Sequence, residues 1–337
     1  ILPDLFGIDS RALALFRIGI AFVLLYDLFI RFGDLAVFYT DEGVLPRTVF
    51  LQSYCRKTIS LYLLTGTQAG VTLLFFFQGL CALALLVGYQ TRLASILSWF
   101  LLASLQRRNP LLLGGADNYL RMMLFWAMFL PLNLRYSIDT ILRPSSKSTP
   151  KRILSWATAA ILLQTFFVYI FTALYKWPGK FWRDGSALHY AFHIDLYAKN
   201  ISQSLLQYPF LIKGLSQCVL IFETIGPLLL FFPLLINYTR LVTISLFILM
   251  QIGFGSLLHL QIFPLVSLVA MLLFLPIIFW VRFLPQHSIS QGGKYRAAKL
   301  NNALAAFFLI FSFFWLCSKW QPSKIPMPTP RRHFGTL

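Results

Sequence analysis

The chain has 337 residues, of which 58% are hydrophobic and only 12% charged, and its mean hydropathy is +0.71. Soluble domains carry about 25% charged residues, so this composition excludes a water-soluble globular domain and points to a polytopic membrane protein. The net charge of +18 does not read as nucleic-acid binding, because Lys and Arg sit at the ends of apolar runs; they read as topology signals and contacts to anionic lipids.

Crossing a bilayer takes about 20 apolar residues. By that measure about nine runs qualify, some marginally, with approximate cores at Ala12–Ile30, Gly70–Gly88, Leu93–Leu105, Tyr119–Leu132, Ile153–Tyr175, Leu215–Leu235, Leu241–Leu258, Phe263–Val281 and Ala303–Leu316. The expected fold is all-α: one transmembrane helical bundle over residues 1–318 with structured loops, then a Pro- and base-rich tail over 319–337. The third and fourth runs are short enough to be partly re-entrant. Residues 1–10 carry Asp4 and Asp9 and no basic n-region, so they do not read as a secretory signal, and Asp9 and Ser10 are placed to cap the first membrane helix. Breakers follow three of the others: Asn109-Pro110, Trp177-Pro178 and Leu284-Pro285. Cys81, Cys218 and Cys317 fall inside apolar runs and Cys55 in a loop, so free thiols are expected rather than a disulfide framework.

The connections 135–152 and 282–299 carry Arg135, Arg143, Lys147, Lys151, Arg152, Arg282, Lys294, Arg296 and Lys299. The positive-inside rule puts both in the cytoplasm and the amino terminus with them. The connections 31–69, 106–118, 176–210 and 259–262 then share the outer face, although Arg47, Arg56, Lys57, Arg107, Arg108, Lys180 and Arg183 make them basic too.

Polar residues inside the runs are the candidates for function. Arg17 lies about 9 Å into the first run and has no acidic neighbour one turn away, so its charge is to be met by another helix, by lipid headgroups or by water, with Glu223 in the sixth run as the natural candidate. Asp27 and Arg31 are spaced to pair with each other. The first outer loop, Phe38-Tyr39-Thr40-Asp41-Glu42-Gly43-Val44-Leu45-Pro46-Arg47, is charged and aromatic beyond what a connector needs. In Gly114-Gly115-Ala116-Asp117-Asn118, a flexible turn leads to a helix capped by Asp117 or Asn118, with Asp117 paired to Arg121. The diglycine also allows a ligand to approach the backbone closely. Lys176, between Tyr175 and Trp177, suits an interfacial anchor as well as a desolvated base. His189 and His193 share a helical face within 186–197, but no third metal ligand is evident, so an interfacial amphipathic helix is expected there.

Taken in order, these segments resemble one family. Ile8-Asp9-Ser10-Arg11, Leu15-Phe16-Arg17-Ile18-Gly19, Tyr26-Asp27 and the loop Phe38 to Arg47 resemble the start of the HTTM domain, the transmembrane module shared with vitamin K-dependent gamma-carboxylases. Gly88-Tyr89-Gln90-Thr91-Arg92, Arg108-Asn109-Pro110 with Gly114 to Asp117, Lys176 through Trp182 to Gly185 with Tyr190, Phe222-Glu223-Thr224, and His259 with Phe263-Pro264 and Phe274-Leu275-Pro276 continue it, over roughly residues 5 to 285. The resemblance implies a membrane cavity open to the outer face, in which the carboxylases oxygenate a reduced quinone to a strong base. The family's essential lysine falls in the stretch matching Tyr175-Lys176-Trp177, which makes Lys176 the candidate base and a quinone the candidate cofactor. Asp117 stands where the carboxylases have a functional histidine, and the large region that holds their protein substrates has no counterpart, so gamma-carboxylation itself is not expected. Short bacterial relatives, some tied to peptide-toxin maturation, suggest a bacterial cytoplasmic membrane.

The expected function is therefore an HTTM-family membrane protein with an outward pocket for a quinone or lipid-like ligand. Lys176 is the base, and Arg17, Asp41, Arg47, Asn109, Asp117, Arg121, Trp182, Glu223 and His259 are the polar residues around it. The alternative is a non-catalytic subunit that stabilises other membrane subunits. A transporter is disfavoured because no inverted repeat or pair of broken helices is visible.

Overall fold

The computed structural model describes residues 2–53, 59–144, 150–283 and 301–310. Eight helices build the bundle: α1 (Ser10–Gly33), α2 (Gln68–Val87), α3 (Thr91–Arg108), α4 (Gly115–Ala127), α5 (Trp156–Lys176), α6 (Pro209–Leu230), α7 (Ile236–Leu257) and α8 (Phe263–Met271). Short helical turns decorate the connections, and a further described helix covers Asn301–Ile310.

Local signals set most of the helix ends. Asp9 caps α1 by accepting from Arg11 N at 2.9 Å. Thr67 does the same for α2, and Ser155 and Thr158 bond reciprocally at the start of α5. Gly88 ends α2 in the left-handed region at φ +73°, and its N–H closes the last turn. Any Cβ there would also lie 2.3 Å from Arg17 Nη1, so the position needs glycine twice over.

Consecutive helices pack antiparallel, α1 on α2, α2 on α3, α5 on α6, α6 on α7 and α7 on α8, while α8 also wedges against α1 and α4. The central core runs through Phe16, Ile20, Leu24, Leu120, Leu124, Trp126, Ile161, Val266 and Phe274. A two-stranded ribbon, Ile8–Asp9 against Arg152–Ile153, ties the start of α1 to the start of α5.

The described residues do not confirm the expected nine spans. Among them, five helices are long and apolar enough to cross a membrane: α1, α2, α5, α6 and α7. A sixth results if α8, its continuation to Phe274 and the helix Ile277–Phe283 count as one span, bent by 93°. The third run, α3, carries Ser95, Ser98, Ser104 and Gln106 buried against protein, and α4, at 13 residues or about 20 Å, is too short to cross alone. α3 also exposes Leu93, Ile96 and Phe100, whereas α4 is largely covered by other helices, and a covered helix need not match the lipid in length.

Cys81 and Cys218 are free thiols, as expected. Several sequence expectations lie outside the described residues: the 319–337 tail, Cys55, Cys317, Arg56, Lys57, Lys147, Lys294, Arg296, Lys299 and the ninth run beyond Ile310.

Candidate functional site

The described parts of the first connection, 34–53 and 59–67, and the connections 109–114, 177–208 and 258–262 meet at one end of the bundle. Asn109 Nδ2 donates to Phe38 O at 3.0 Å, Arg31 binds Asp117, and His259 N donates to Tyr197 O at 2.8 Å. The other end is laced by Asp139 N to Gly88 O, Ser10 N to Lys151 O and Arg240 to Leu5 O.

Two polar assemblies occupy the first end. In one, the Arg31 fork donates to Asp27 at 2.9 Å, to Tyr39 Oη at 2.9 Å and to Asp117. The other Asp117 oxygen accepts from Gly114 N at 2.8 Å, so this fully buried carboxylate both fixes the turn and neutralises the arginine. The expected Asp117–Arg121 pair does not form. Arg121 donates to Asn118 and to Gln106 Oε1, and Gln106 in turn donates to Asp117 O. Nor is Asp117 or Asn118 the cap residue; Gly114 takes that place and Asp117 reaches back to it from the first turn.

Beside this assembly the first loop is clasped. Arg47 meets Asp41 at 2.7 Å and reaches Leu63 O, while fully buried Arg108 donates to Leu45 O and Thr40 O and stands 3.8 Å from Asp41. The hydrogen bonds from Arg47 hold the Asp41 carboxyl below the usual carboxylate range. Asn109 caps the turn Pro110–Leu112 through its Oδ1 while its amide holds Phe38.

The second assembly joins α5 to α6. Lys176 Nζ lies 2.5 Å from Glu223 Oε2 and 4.3 Å from the centre of the Trp182 ring, so the ammonium is held between a carboxylate and an aromatic face. Trp177 Nε1 donates to Thr224 Oγ1 at 3.0 Å and locks the same two helices. The Lys176 side chain is 16% exposed and that of Glu223 4%. An interfacial anchor would extend its head to water; this one turns inward. Between α6 and α7 runs an apolar groove of about 680 Å³, lined by Phe222 among others and flanked by Leu188 and Phe192.

Arg17 is not part of this site, and its expected partner is wrong. It sits near the other end, where it donates to Leu132 O at 3.2 Å and Tyr136 O at 2.5 Å, while Glu223 binds Lys176. The carbonyls of a loop after α4 supply what a carboxylate was expected to supply. His259 is exposed, and its contact with Tyr197 is through the main chain. The rings of His189 and His193 lie 4.6 Å apart and tilted by 53°, but the helix there covers only Ala187–Phe192, and no group of three metal-ligating side chains exists among the described residues.

Sequence reading missed the reach of Arg31 to Tyr39 and Asp117, the buried Arg240 that donates to Leu230 O and Leu5 O, and the amide of Gln251 in the core. The signal was present in each case as a lone polar residue within or beside an apolar run.

Helices with lipid-length apolar faces, polar groups paired internally and connections gathered at one end define a polytopic helical membrane protein. The chain belongs to the HTTM-domain family, whose model matches residues 7–280. It is similar to the sporulation-delaying protein SdpB of Bacillus subtilis (strain 168), with 24% identity over 231 residues, 65% of this chain and 68% of that protein. No solved structure matches.

Proposed function

We propose that this protein binds a quinone or another lipid-like ligand at the end of the bundle that carries Lys176, with Lys176 as the proton-abstracting group and Glu223 and Trp182 holding it in place. The observation that carries this reading is the Lys176–Glu223 contact at 2.5 Å, which brings together two residues 47 positions apart beneath an aromatic ring. For the amine to act as a base, its proton must first leave. Glu223 is the acceptor in contact with it, and its carboxylate becomes a carboxylic acid on taking that proton. A ligand entering from the bilayer would use the groove between α6 and α7, whose lining is apolar throughout. In this reading the Lys176 end faces outward from a bacterial cytoplasmic membrane, with the Arg143 and Arg152 end inside; the bacterial relative and the positive-inside rule support that placement.

The test is extraction of the purified protein with organic solvent, together with the Lys176→Ala variant. A quinone or lipid-like molecule in near-equimolar amount, and loss of biological activity in Lys176→Ala with the fold retained, are expected. No co-extracted molecule combined with full activity in Lys176→Ala removes the reading.

A second reading has its own support. The relative is named for delaying sporulation, and the Lys176 charge is already matched by Glu223 and Trp182 as a tie between helices. Such a protein would be a non-catalytic subunit of a membrane complex. It would co-purify with a partner protein covering its apolar flank, and Lys176→Ala would lower stability without abolishing activity.

A further inference from the structure

At the end of the bundle opposite Lys176, a cleft of about 700 Å³ opens where α2 turns into α3 beside the connection that follows α4. Its walls are tied together. Asp139, from that connection, caps the start of α3: its Oδ1 accepts from Gln90 N at 2.7 Å, and its Oδ2 from Thr91 N at 2.9 Å and Thr91 Oγ1 at 2.8 Å. Asp139 N donates to Gly88 O at 3.0 Å, and Thr140 Oγ1 donates to Asn133 O at 2.6 Å. The cleft is therefore preformed, which lowers the cost of binding.

Charge inside it is unbalanced. Arg92 and Arg143 both line it, against Asp139 as the one acidic side chain among the lining residues. The Asp139 oxygens are already engaged by three donors, and Arg17, on the far side of Gly88, also lies within electrostatic reach of that carboxylate. Arg92 donates only to the neutral Asn301 Oδ1, at 2.9 Å, and neither Arg92 nor Arg143 has a carboxylate within ion-pair distance among the described residues. Two spare guanidiniums suit a phosphate, whose oxygens accept from their forks.

The apolar side chains around the cleft narrow the choice of anion. Leu93 and Leu142 line it and are exposed, and Leu93 starts a longer stripe. Leu93, Ile96 and Phe100 are three and four positions apart and all exposed, so they run about 10 Å down one face of α3, away from the arginines. Free phosphate would make no use of that stripe; an acyl chain would.

We infer that the cleft lined by Arg92 and Arg143 binds an anionic phospholipid, its phosphate held by the two guanidiniums and an acyl chain laid along Leu93, Ile96 and Phe100. Scattered surface cations attract anionic headgroups in general; a shaped cleft that joins cations to an apolar stripe selects one lipid. The site does not depend on any ligand or role assigned to Lys176.

The test titrates the full-length protein in neutral-detergent micelles with tail-labelled phosphatidylglycerol, read by fluorescence anisotropy. Each cation near a headgroup is worth about fivefold in affinity, so Arg92→Gln with Arg143→Gln should weaken binding about 25-fold, and Arg143→Gln alone about fivefold. The single variant breaks no side-chain hydrogen bond among the described residues, so its fold is retained. Lys151→Gln with Arg282→Gln removes the same charge from exposed positions at the same end and should change binding by no more than about twofold, because screened charges outside the cleft act weakly. Phosphatidylcholine, which has the phosphate without the net charge, should bind more weakly, and inorganic phosphate in excess should not displace the labelled lipid. Equal weakening by the two double variants overturns the site in favour of general surface charge. Wild-type affinity in Arg143→Gln, equal binding of phosphatidylcholine, or displacement by inorganic phosphate overturns it as well.

Discussion

Lys176 shows what a single side chain's direction decides. Flanked by Tyr175 and Trp177 at the end of an apolar run, it carries the composition of a membrane-interface anchor. Its ammonium instead turns inward to Glu223 and lies over Trp182. Removing one partner of such a pair leaves the other charge buried, which is the expensive outcome. Glu223→Gln is therefore expected to cost about 3 kcal/mol and to lower the thermal unfolding temperature in detergent, while Glu223→Leu combined with Lys176→Met recovers most of the loss. Equal stability of Glu223→Gln and wild type would contradict the pairing. Arg17 teaches the complementary lesson. Its need for a partner across helices was legible, because a cation seven positions into an apolar helix has to be met by something. Which partner was not, because the carbonyls of Leu132 and Tyr136 belong to the main chain and leave no mark on residue identity.

Among the elements, the ends were the most legible part, since a cap is a contact within a few positions. Asp9 before α1 and the free thiols stood in the sequence as they stand in the fold. The Asp27–Arg31 pair did too, being one turn apart, but its extension to Asp117 crosses 86 positions and could not be seen. The turn at Gly88 joins both kinds of information. Its φ of +73° disfavours any side chain, and the space a Cβ would take is filled by the Arg17 guanidinium. Gly88→Ala should lose about 1–2 kcal/mol from the backbone alone and more from the displaced arginine, read as a lower melting temperature. Gly88→Asn should recover little: asparagine tolerates the left-handed region, yet its Cβ meets the same guanidinium. Recovery to wild-type stability by asparagine would show that the contact with Arg17 carries no weight. The run counts failed at α3 and α4 for a different reason. α3 exposes Leu93, Ile96 and Phe100 but carries Arg92, Arg107 and Arg108 within its 18 residues, and α4 is largely buried and only 13 residues long.

At the scale of the whole molecule, the bundle has two unlike ends. One gathers the ionic assemblies around Asp117, Asp41 and Lys176; the other holds Arg17, Asp139 and the ribbon between α1 and α5. In a cysteine-free background, Glu42→Cys and Lys180→Cys, both exposed at the first end, should react with an impermeant maleimide added from the same side of the membrane. Arg143→Cys, exposed at the other, should react only from the opposite side. Labelling of Glu42→Cys and Lys180→Cys from different sides is incompatible with this arrangement of connections.

By itself, the sequence determined that the chain is an α-helical membrane protein of the HTTM family, where several of its helices begin, and that its functional groups lie among rare polar residues in apolar surroundings. Those properties depend on composition and on contacts between near neighbours. Only the tertiary structure decided which polar group meets which: Lys176 with Glu223, Arg31 with Asp117, Arg17 with carbonyls, and Gln251 with Tyr169. The reason is physical. In a core where nearly every surface is apolar, hydrophobic matching is almost indifferent to helix order and rotation, so polar pairing is fixed by where the packed helices place a few hydrogen-bonding groups, and no local pattern encodes that placement.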